Sequence, residues 1–450
     1  MKKFFSIFLA LALVLAILPV AGAKAQSPVA YESSISIQNL SPDAGLVTLT
    51  FYNLQGFVVG TADAPIPGNA SISFYRGTMP IAPGFDGSVV VASNVPTAGI
   101  SNLVGLKTGA VPVTYGAFSA FNEGSQYVYL PTLMKGNYGY DTFFYVQNLG
   151  DAVATVDIAY SDGLNVQLNG IKPGAAKAVK QSAEQHAGAV FSATLSSEQN
   201  IAVTVAQTGP TLLAYNGFGM GTVYPIMPLF QANNYGYVTG IQIQNTGGMS
   251  TDVTVAYTPG TAGTACTETQ TIPAGGSVTF GLAAFNRGVP SSNCVKELFV
   301  GSAEVTVNSQ SQNLVAVVNQ LNSADFKGGS YNAFDTNQGA SKAIFPLIMD
   351  RNYGYFTGWS IVNVGEAEIA AEGVVCVVKG GEIEQTIKSP AIPAGGAWTM
   401  NHNNKIGDKF VGSAICTTDG TVIGVLNQLG TGEGFTGVDS LLVSEAFLVD

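Results

Sequence analysis

The stretch Pro131-Thr-Leu-Met-Lys-Gly-Asn-Tyr-Gly-Tyr140 returns twice later in the chain, with changes only between the proline and the asparagine. The second copy is Pro228-Leu-Phe-Gln-Ala-Asn-Asn-Tyr-Gly-Tyr237, and the third is Pro346-Leu-Ile-Met-Asp-Arg-Asn-Tyr-Gly-Tyr355. Self-similarity of this kind marks an architecture built from internal repeats. The fold of one repeat therefore predicts most of the molecule.

Each copy is followed by an apolar segment that ends in an asparagine, at Asn148, Asn245 and Asn363, and this later part also occurs once earlier, ending at Asn39. Apolar residues then alternate with more polar ones, and a period of two is typical of a half-buried β-strand. The predicted core positions are Val47, Leu49, Phe51, Val156, Ile158, Tyr160, Val253, Val255, Tyr257, and more weakly Ala371, Gly373 and Val375.

A Pro-Gly turn and a strand that starts with small residues come next in every repeat. The turns are Ile66–Gly68, Lys172–Gly174, Ile272–Gly276 and Ile392–Gly396, and the strands start at Gly87, Gly188, Gly301 and Gly412. The repeats close on Ser119-Ala-Phe, Tyr215-Asn-Gly-Phe218, Tyr331-Asn-Ala-Phe334 and Ser444-Glu-Ala-Phe447.

Many short strands separated by Gly and Pro turns predict an all-β protein of four tandem immunoglobulin-like β-sandwich domains. The predicted domains are residues 26–124 (divergent, without the first strand), 125–222, 223–342 and 343–450. Because the joints between them are short, we expect the four domains to form a rod.

Residues 1–25 read as a secretory signal peptide, with Lys2 and Lys3 before an apolar run from Phe4 to Leu18. Ala23-Lys24-Ala25 has the small residues of a cleavage site, so we expect cleavage between Ala25 and Gln26. An uncleaved membrane anchor is the alternative, but the apolar run is shorter than the ~20 residues that span a bilayer. We expect a secreted or cell-surface protein without a membrane span in the mature chain.

The composition argues against several classes of function. Charged residues are 10% of the 450, with 18 Lys and Arg against 29 Asp and Glu, and no basic stripe suggests a nucleic-acid partner. Only two histidines occur, His186 before a small-residue strand, where we expect exposure, and His402 in a turn. Without nucleophile, phosphate-loop or metal motifs, we expect neither an enzyme nor a cofactor.

The four cysteines lie two in each of the last domains. Cys266 and Cys294 belong to the third, and Cys376 and Cys416 to the fourth. In an exported chain, two disulfides within domains are the simplest pairing, and a zinc site is the alternative. For the second pair we expect a bridge between the two sheets, which would compensate for weak core residues in that domain.

The repeated turn is the candidate for a specific role, and two interpretations compete. It is either a structural turn whose tyrosines pack over the domain joint with hydrogen-bonded hydroxyls, or an aromatic platform for sugars or a partner domain. The structural interpretation is favoured because the motif follows each domain boundary. The residues are Asn137, Tyr138, Gly139, Tyr140, Asn234, Tyr235, Gly236, Tyr237, Asn352, Tyr353, Gly354 and Tyr355.

The first domain lacks the opening strand and the Asn-Tyr-Gly-Tyr turn of the other three. Either it is a capping repeat that diverged because nothing precedes it, or its sheet has an open edge that accepts a strand or face of another copy. The second interpretation predicts head-to-tail contacts between the fourth domain of one molecule and the first domain of the next. Such contacts produce a filament or a layer.

The Gln-Asn-x-Gly, Ile-Pro-Ala-Gly-Gly and Val-Gly-Ser-Ala blocks resemble those of bacterial secreted cell-surface proteins with tandem immunoglobulin-like repeats. The resemblance implies an extracellular location and a structural or adhesive role. We therefore expect a structural protein of the cell exterior that associates with other copies of itself. The alternative is a monomeric adhesin or a carbohydrate-binding rod, whose partners would be surface glycans.

Overall fold

The computed structural model describes residues 30–75, 77–109, 111–281, 285, 292–307, 312–435 and 438–450. Strands account for 65% of the structure and helices for 2%, and the strand pairs are antiparallel, so the all-β prediction is confirmed. Short 3-10 helices lie at Gln181–Ala183, Thr336–Gln338 and Glu433–Phe435. The predicted signal peptide and its cleavage site lie outside the described residues. Below, repeats 1 to 4 denote residues 26–124, 125–222, 223–342 and 343–450.

The described residues of repeat 1 form seven strands: β1 Ala30–Asn39, β2 Gly45–Asn53, β3 Val58–Ile66, β4 Ser71–Phe74, β5 Gly87–Ser93, β6 Thr97–Lys107 and β7 Val111–Ser119. They form two sheets, with strand orders β4-β1-β6-β7 and β3-β2-β5. The chain passes from the second sheet into the first between β5 and β6, which are separated by residues 94–96.

Repeat 2 also has seven strands: β8 Ser125–Met134, β9 Asp141–Asn148, β10 Ala154–Tyr160, β11 Asn165–Ile171, β12 Ala176–Lys180, β13 Val190–Thr208 and β14 Leu212–Asn216. The long β13 corresponds to β5 and β6 together. Its first half pairs with β10 and β8, and its second half pairs with β9 and β14. The opening strand β8 has no counterpart among the described strands of repeat 1.

Repeat 3 contains β15 Pro225–Ala232, β16 Val238–Asn245, β17 Thr251–Ala262, β18 Cys266–Ile272, β19 Ser277–Phe280, β20 Phe299–Val307, β21 Leu314–Asn322, β22 Lys327–Asn332 and β23 Phe334–Asp335. Its two sheets have the orders β18-β17-β20-β15-β23 and β19-β16-β21-β22. The opening strand β15 flanks β20, as β8 flanks β13 in repeat 2.

Repeat 4 contains β24 Ala340–Asp350, β25 Tyr355–Asn363, β26 Val374–Gly380, β27 Ile383–Lys388, β28 Ala397–Asn401, β29 Phe410–Gly430, β30 Leu441–Glu445 and β31 Phe447–Val449. The long β29 pairs with β24 and β26 in its first half and with β25 and β30 in its second half. Repeats 2 and 4 thus share one arrangement. Repeat 3 has the same arrangement, except that two separate strands, β20 and β21, replace the single long strand.

The alternating residues form the cores, as the period of two predicts. All nine predicted core residues of repeats 1 to 3 are buried. In repeat 4 the prediction was wrong, because the chain makes an additional turn through Glu372, at a positive φ of 65°, before the strand starts. The buried residues are displaced along the chain to Val374, Cys376 and Val378, whereas Ala371 is exposed.

The hydrogen bonds of the repeated asparagines explain why asparagine recurs at this position. Asn39, Asn148, Asn245 and Asn363 are fully buried, and each donates from Nδ2 to the carbonyl four residues later at 2.7–2.8 Å. Each Oδ1 also accepts the backbone N–H two residues later. Because buried polar groups need partners, one asparagine satisfies the backbone where the chain leaves each strand.

The four repeats do not extend into a rod. The final strands β7, β14, β22 and β30 contact one another in a closed cycle, in which β7 touches both β14 and β30, and β22 touches both of these as well. We call these four strands the hub. Repeat 1 therefore packs against repeat 4 of the same chain. The expectation of a rod was wrong because the length of a joint does not determine the direction in which the next repeat packs.

Contacts between successive repeats use the blocks that the sequence repeats. Ser88 donates to the carbonyl of Gly174 at 2.6 Å, Ser192 to that of Gly275 at 3.0 Å, and Ser302 to that of Gly395 at 2.8 Å. The serine near each small-residue strand start thus binds the Pro-Gly turn of the following repeat. The same interface is built three times along the chain.

Candidate functional site

Each Asn-Tyr-Gly-Tyr motif is a two-residue hairpin turn. In repeat 2 the N–H of Asn137 donates to the carbonyl of Tyr140 at 3.0 Å, and the reverse bond is 2.9 Å long. Tyr138 and Gly139 both have positive φ, 50° and 85°, which defines the type I′ turn that suits the twist of a hairpin. The copies in repeats 3 and 4 have the same bonds and angles.

The first tyrosine of each turn is in an unfavourable position. Asn and Gly are preferred where φ is positive, yet Tyr138, Tyr235 and Tyr353 have φ of 50°, 47° and 48°. A non-glycine residue in this region costs roughly 1–3 kcal/mol. Burial does not offset this cost, because the three side chains are 92%, 93% and 85% exposed. The folded state alone therefore does not account for a tyrosine at this position.

The second tyrosine of each turn has a different environment. Tyr140, Tyr237 and Tyr355 are largely buried, and burial raises the pKa of each hydroxyl. Each also interacts electrostatically with Asp439, which lies at one end of the hub. The three turns consequently lie at the same end of the hub, and their first tyrosines extend into solvent from there.

The structural interpretation of the motif therefore fits the second tyrosine of each turn but not the first. The second tyrosines pack at the junction of the repeats, as the structural interpretation predicts. Tyr140 shares a hydrogen bond of 2.8 Å with Thr211, and Tyr355 bonds to Tyr115. The buried hydroxyl of Tyr237 has no partner among the described residues, so the expectation that every hydroxyl is hydrogen-bonded was wrong. The first tyrosines remain unexplained by packing.

At the opposite end of the hub, the residues that occupy one equivalent position in the four repeats are joined by a network of hydrogen bonds. Ser119 donates from Oγ to Glu445 at 2.9 Å, and the backbone N–H of Asn332 donates to the same carboxylate at 2.6 Å. Asn332 also donates from Nδ2 to the carbonyl of Asn216, which in turn donates from Nδ2 to the carbonyl of Ser119. The network links repeats 4, 3, 2 and 1.

Asp439 organises the end of the hub nearest the tyrosine turns. Its carboxylate accepts the backbone N–H of Leu212 at 2.7 Å and that of Gly328 at 2.9 Å, and the amides of Tyr115 and Leu441 add further hydrogen bonds. These four donors occupy the same position of the four repeats. A single side chain thus receives one backbone donor from each hub strand.

Burial dominates the electrostatics of the hub. Desolvation raises the pKa of Asp439 well above its usual value, although the four amides lower it in part. Desolvation also raises the pKa of Glu445, against the hydrogen bonds from Asn332 and Ser119. The nearby ammonium of Lys327 donates to the carbonyl of Phe435 at 3.2 Å, and burial lowers the pKa of this ammonium.

Sequence reasoning missed both acids, Asp439 and Glu445, since single carboxylates in a weakly charged chain carry no motif. The one available signal was Glu445 at the position of Asn216 and Asn332.

The side chains of both histidines are buried and hydrogen-bonded. The expectation that His186 is exposed was wrong: its side chain is buried, stacked on Phe191, with Nδ1 at 3.0 Å from Asp162 and Nε2 at 2.7 Å from Gln181. His402 is fully buried beside Trp359 and bonds through Nδ1 to Thr357 at 2.8 Å. Desolvation lowers the pKa of His402 to about 4, so its imidazole is neutral at pH 7.

Both predicted cysteine pairs are disulfides, Cys266–Cys294 and Cys376–Cys416. The second does not join two sheets. Cys376 in β26 lies directly opposite Cys416 in β29, so the bridge links neighbouring strands of one sheet. The expectation of an inter-sheet bridge was wrong because it placed the core of repeat 4 at Ala371 and Gly373 rather than at Cys376 itself.

Other possible sites are less developed. A cavity of about 430 Å³ lies beside the segments that join repeats 1, 2 and 3, with Phe121, Phe218, Met220 and Leu314 in its wall. Within the described residues, no three His, Cys, Asp or Glu side chains are arranged to hold a metal ion, and no helix is long and apolar enough to cross a membrane. Neither a protein-family model nor a curated protein matches the sequence.

Proposed function

We propose that this chain is an exported structural protein of the cell exterior, not an enzyme, and that it associates with copies of itself into a filament or layer. In this proposal the four repeats are immunoglobulin-like sandwiches that close around the hub into one compact building block. Repeat 4 already packs on repeat 1 within the chain, so that surface is not free for contacts between molecules. Association needs a different surface, and repeat 1 offers one.

The observation that carries the proposal is the free edge of β5. This strand pairs with β2, and no second partner lies among the described residues, whereas β13, β20 and β29 have strands on both sides. Val89 and Val91 on its inner face are partly exposed. The residues at the same positions of repeats 2 and 3 are at most 1% exposed, namely Ala193, Leu195, Ala303 and Val305.

The later repeats indicate what fits this edge. In each of them the place beside the matching strand is taken by β8, β15 or β24, which carry an apolar residue followed by proline: Leu130-Pro131, Met227-Pro228 and Phe345-Pro346. Unpaired sheet edges are templates for strand addition, which gives stable main-chain hydrogen bonds. An extended apolar segment of a second copy, with this pattern, is the occupant that we propose.

Repeat 2 has residues suited to border such a segment. In repeat 4, Ser360 donates to the carbonyl of Pro228, so this position touches the opening strand of the preceding repeat. The matching residue of repeat 2 is Tyr145, whose hydroxyl donates to Asp86 at 2.7 Å, and Phe143 beside it packs against Tyr31. Gln147 of repeat 2 also reaches the carbonyl of Val89 from Nε2 at 3.5 Å, so repeat 2 borders the start of β5.

The experiment supplies the absent strand within the same chain. Residues 125–140, which comprise β8 and its turn, are fused in front of Glu32 in place of residues 26–31, so that the added strand has the spacing of repeat 2. The control carries the same extension with its copies of Val128, Leu130 and Leu133 changed to serine. Assembly is followed by sedimentation velocity and negative-stain microscopy of the mature chain.

We expect the mature chain to form filaments or sheets, the fused variant to remain monomeric, and the control to assemble like the unmodified protein. If the unmodified chain stays monomeric at every concentration tested, self-association is wrong. If the fused variant assembles as well as the control, association does not use the β5 edge.

A further inference from the structure

The exposed tyrosines of the three turns are isolated aromatic tips rather than parts of an apolar surface. In segments 132–144, 229–241 and 347–359, no large hydrophobic side chain other than Tyr138, Tyr235 and Tyr353 is exposed. A stable protein interface buries about 800 Å² on each partner around a contiguous apolar centre. One ring at each tip does not provide this, but it does provide a flat face of the size of one sugar ring.

The three turn segments themselves carry little negative charge in an acidic chain, and one further exposed acid, Asp325, lies beside the turn of repeat 3. The net charge of the whole sequence is −11, whereas the residues around the tips include Lys135 and Arg351. Of the two acids in these segments, Asp350 is buried and accepts four backbone N–H groups, and Asp141 accepts the N–H of Gly136. The overall charge disfavours nucleic acids and anionic membranes, so an uncharged hydroxylated ligand fits the tips better.

The turns fix the backbone from which these rings extend. Two backbone hydrogen bonds close each hairpin, and the second tyrosine of each motif is anchored near Asp439 in the hub. A tyrosine has two side-chain torsions, so it presents a large contact area at a low cost in conformational entropy. The unfavourable backbone angle is thus retained at three sites where its only evident effect is to present a ring to solvent.

We propose that Tyr138, Tyr235 and Tyr353 form a trivalent site for an extended, uncharged polysaccharide, with one sugar ring stacked on each tyrosine. The C–H groups on one face of a pyranose pack on an aromatic ring, and the sugar hydroxyls remain in water. A single stacking contact is weak. Because the three turns lie at the same end of the hub, a polymer that reaches more than one tip gains affinity through avidity.

The experiment measures retention of the mature protein on insoluble cellulose and chitin, and its mobility in native gels that contain dextran or xylan. Each tyrosine is replaced by asparagine, which tolerates positive φ, singly and in the triple variant Tyr138→Asn, Tyr235→Asn and Tyr353→Asn. The control is Tyr75→Asn with Tyr127→Asn, since both are exposed tyrosines outside the turns. Thermal unfolding and sedimentation velocity are measured for every variant.

We expect at least one of these polymers to bind the protein, each single variant to bind several-fold more weakly, and the triple variant to lose at least tenfold in affinity with an unchanged or higher melting temperature. The control should bind like the unmodified protein. Binding by the triple variant at full strength, or no binding by the unmodified protein to any of the four polymers, overturns the site. A triple variant that loses assembly instead assigns the tips to contacts between copies. The β5-edge experiment has its own readout, so the two proposals fail separately.

Discussion

The backbone N–H of Asn332 lies 2.6 Å from Oε1 of Glu445, although the two residues occupy the same position of successive repeats. Asn332 also contacts Asn216 through both its amide oxygen and its amide nitrogen. One position of the repeat has therefore become the junction at which the repeats meet. Four final strands that were expected to lie along a rod instead surround two buried carboxylates, and these carboxylates determine how the stability of the molecule responds to pH and to substitution.

The first prediction concerns Glu445→Gln and pH. Burial raises the pKa of Glu445 in the folded state, so its stabilising contribution is complete below the unfolded-state value near 4.5 and is lost as the pH rises through the folded-state pKa. Glutamine accepts from Asn332 and donates to Ser119 without titrating. We expect the two proteins to unfold alike at pH 4 and the variant to be the more stable at pH 8, in urea titrations.

Each unit by which the folded-state pKa exceeds the unfolded-state value corresponds to about 1.4 kcal/mol of free energy of unfolding at pH 8. Glu366→Gln, at an exposed position, is the matched control and should show no such pH dependence. A difference between wild type and Glu445→Gln that stays constant from pH 4 to pH 8 would contradict the argument.

The second prediction concerns Asp439→Asn, which should behave differently. Both carboxylate oxygens accept backbone N–H groups, from Leu212 and Gly328, and an amide nitrogen in place of one oxygen would face an N–H. An unsatisfied buried donor costs roughly 1–3 kcal/mol, so we expect a loss of that size in the free energy of unfolding. Limited proteolysis should show earlier cleavage in the joints between repeats. Stability equal to that of wild type at all pH values would be inconsistent with the hub geometry.

The third prediction compares Tyr237→Phe with Tyr140→Phe. The two tyrosines have the same place in their repeats, but the Tyr140 hydroxyl bonds to Thr211 and the buried Tyr237 hydroxyl has no partner among the described residues. Removing a hydroxyl that forms a hydrogen bond costs about 1 kcal/mol, whereas removing an unsatisfied one is neutral or favourable. Calorimetric melting should therefore place Tyr237→Phe at or above wild type and Tyr140→Phe below it. The reverse order would refute the assignment.

The fourth prediction concerns the disulfides. The pairs span sequence separations of 28 and 40 residues, and closing loops of this size stabilises by roughly 3–4 kcal/mol in the chain-entropy model. Replacing Cys266 and Cys294 by serine should lower the free energy of unfolding by this amount. Cys376 and Cys416 are fully buried, so alanine at both should cost more, because core contacts are also lost. Equal melting of wild type with and without reductant would show that neither bridge stabilises the fold.

The sequence alone determined the local structure because the signals of a strand and of a tight turn are local. Alternation with period two predicted the buried residues of repeats 1 to 3, and the repeated glycine of the turns indicated a positive φ. The pairing of the cysteines followed from their distribution among the repeats. The same reasoning failed at Ala371 and Gly373, where an additional turn moved the strand along the chain and local spacing was no longer a guide.

Only the tertiary structure decided how the repeats meet. Ser119, Asn216, Asn332 and Glu445 are separated by about a hundred residues each, and no pattern within one repeat states that they will share hydrogen bonds. That outcome depends on the directions in which successive repeats pack, which follow from side-chain fit across whole interfaces. The same packing separated two tyrosines of one motif, burying the second of each pair against the hub and leaving the first in water.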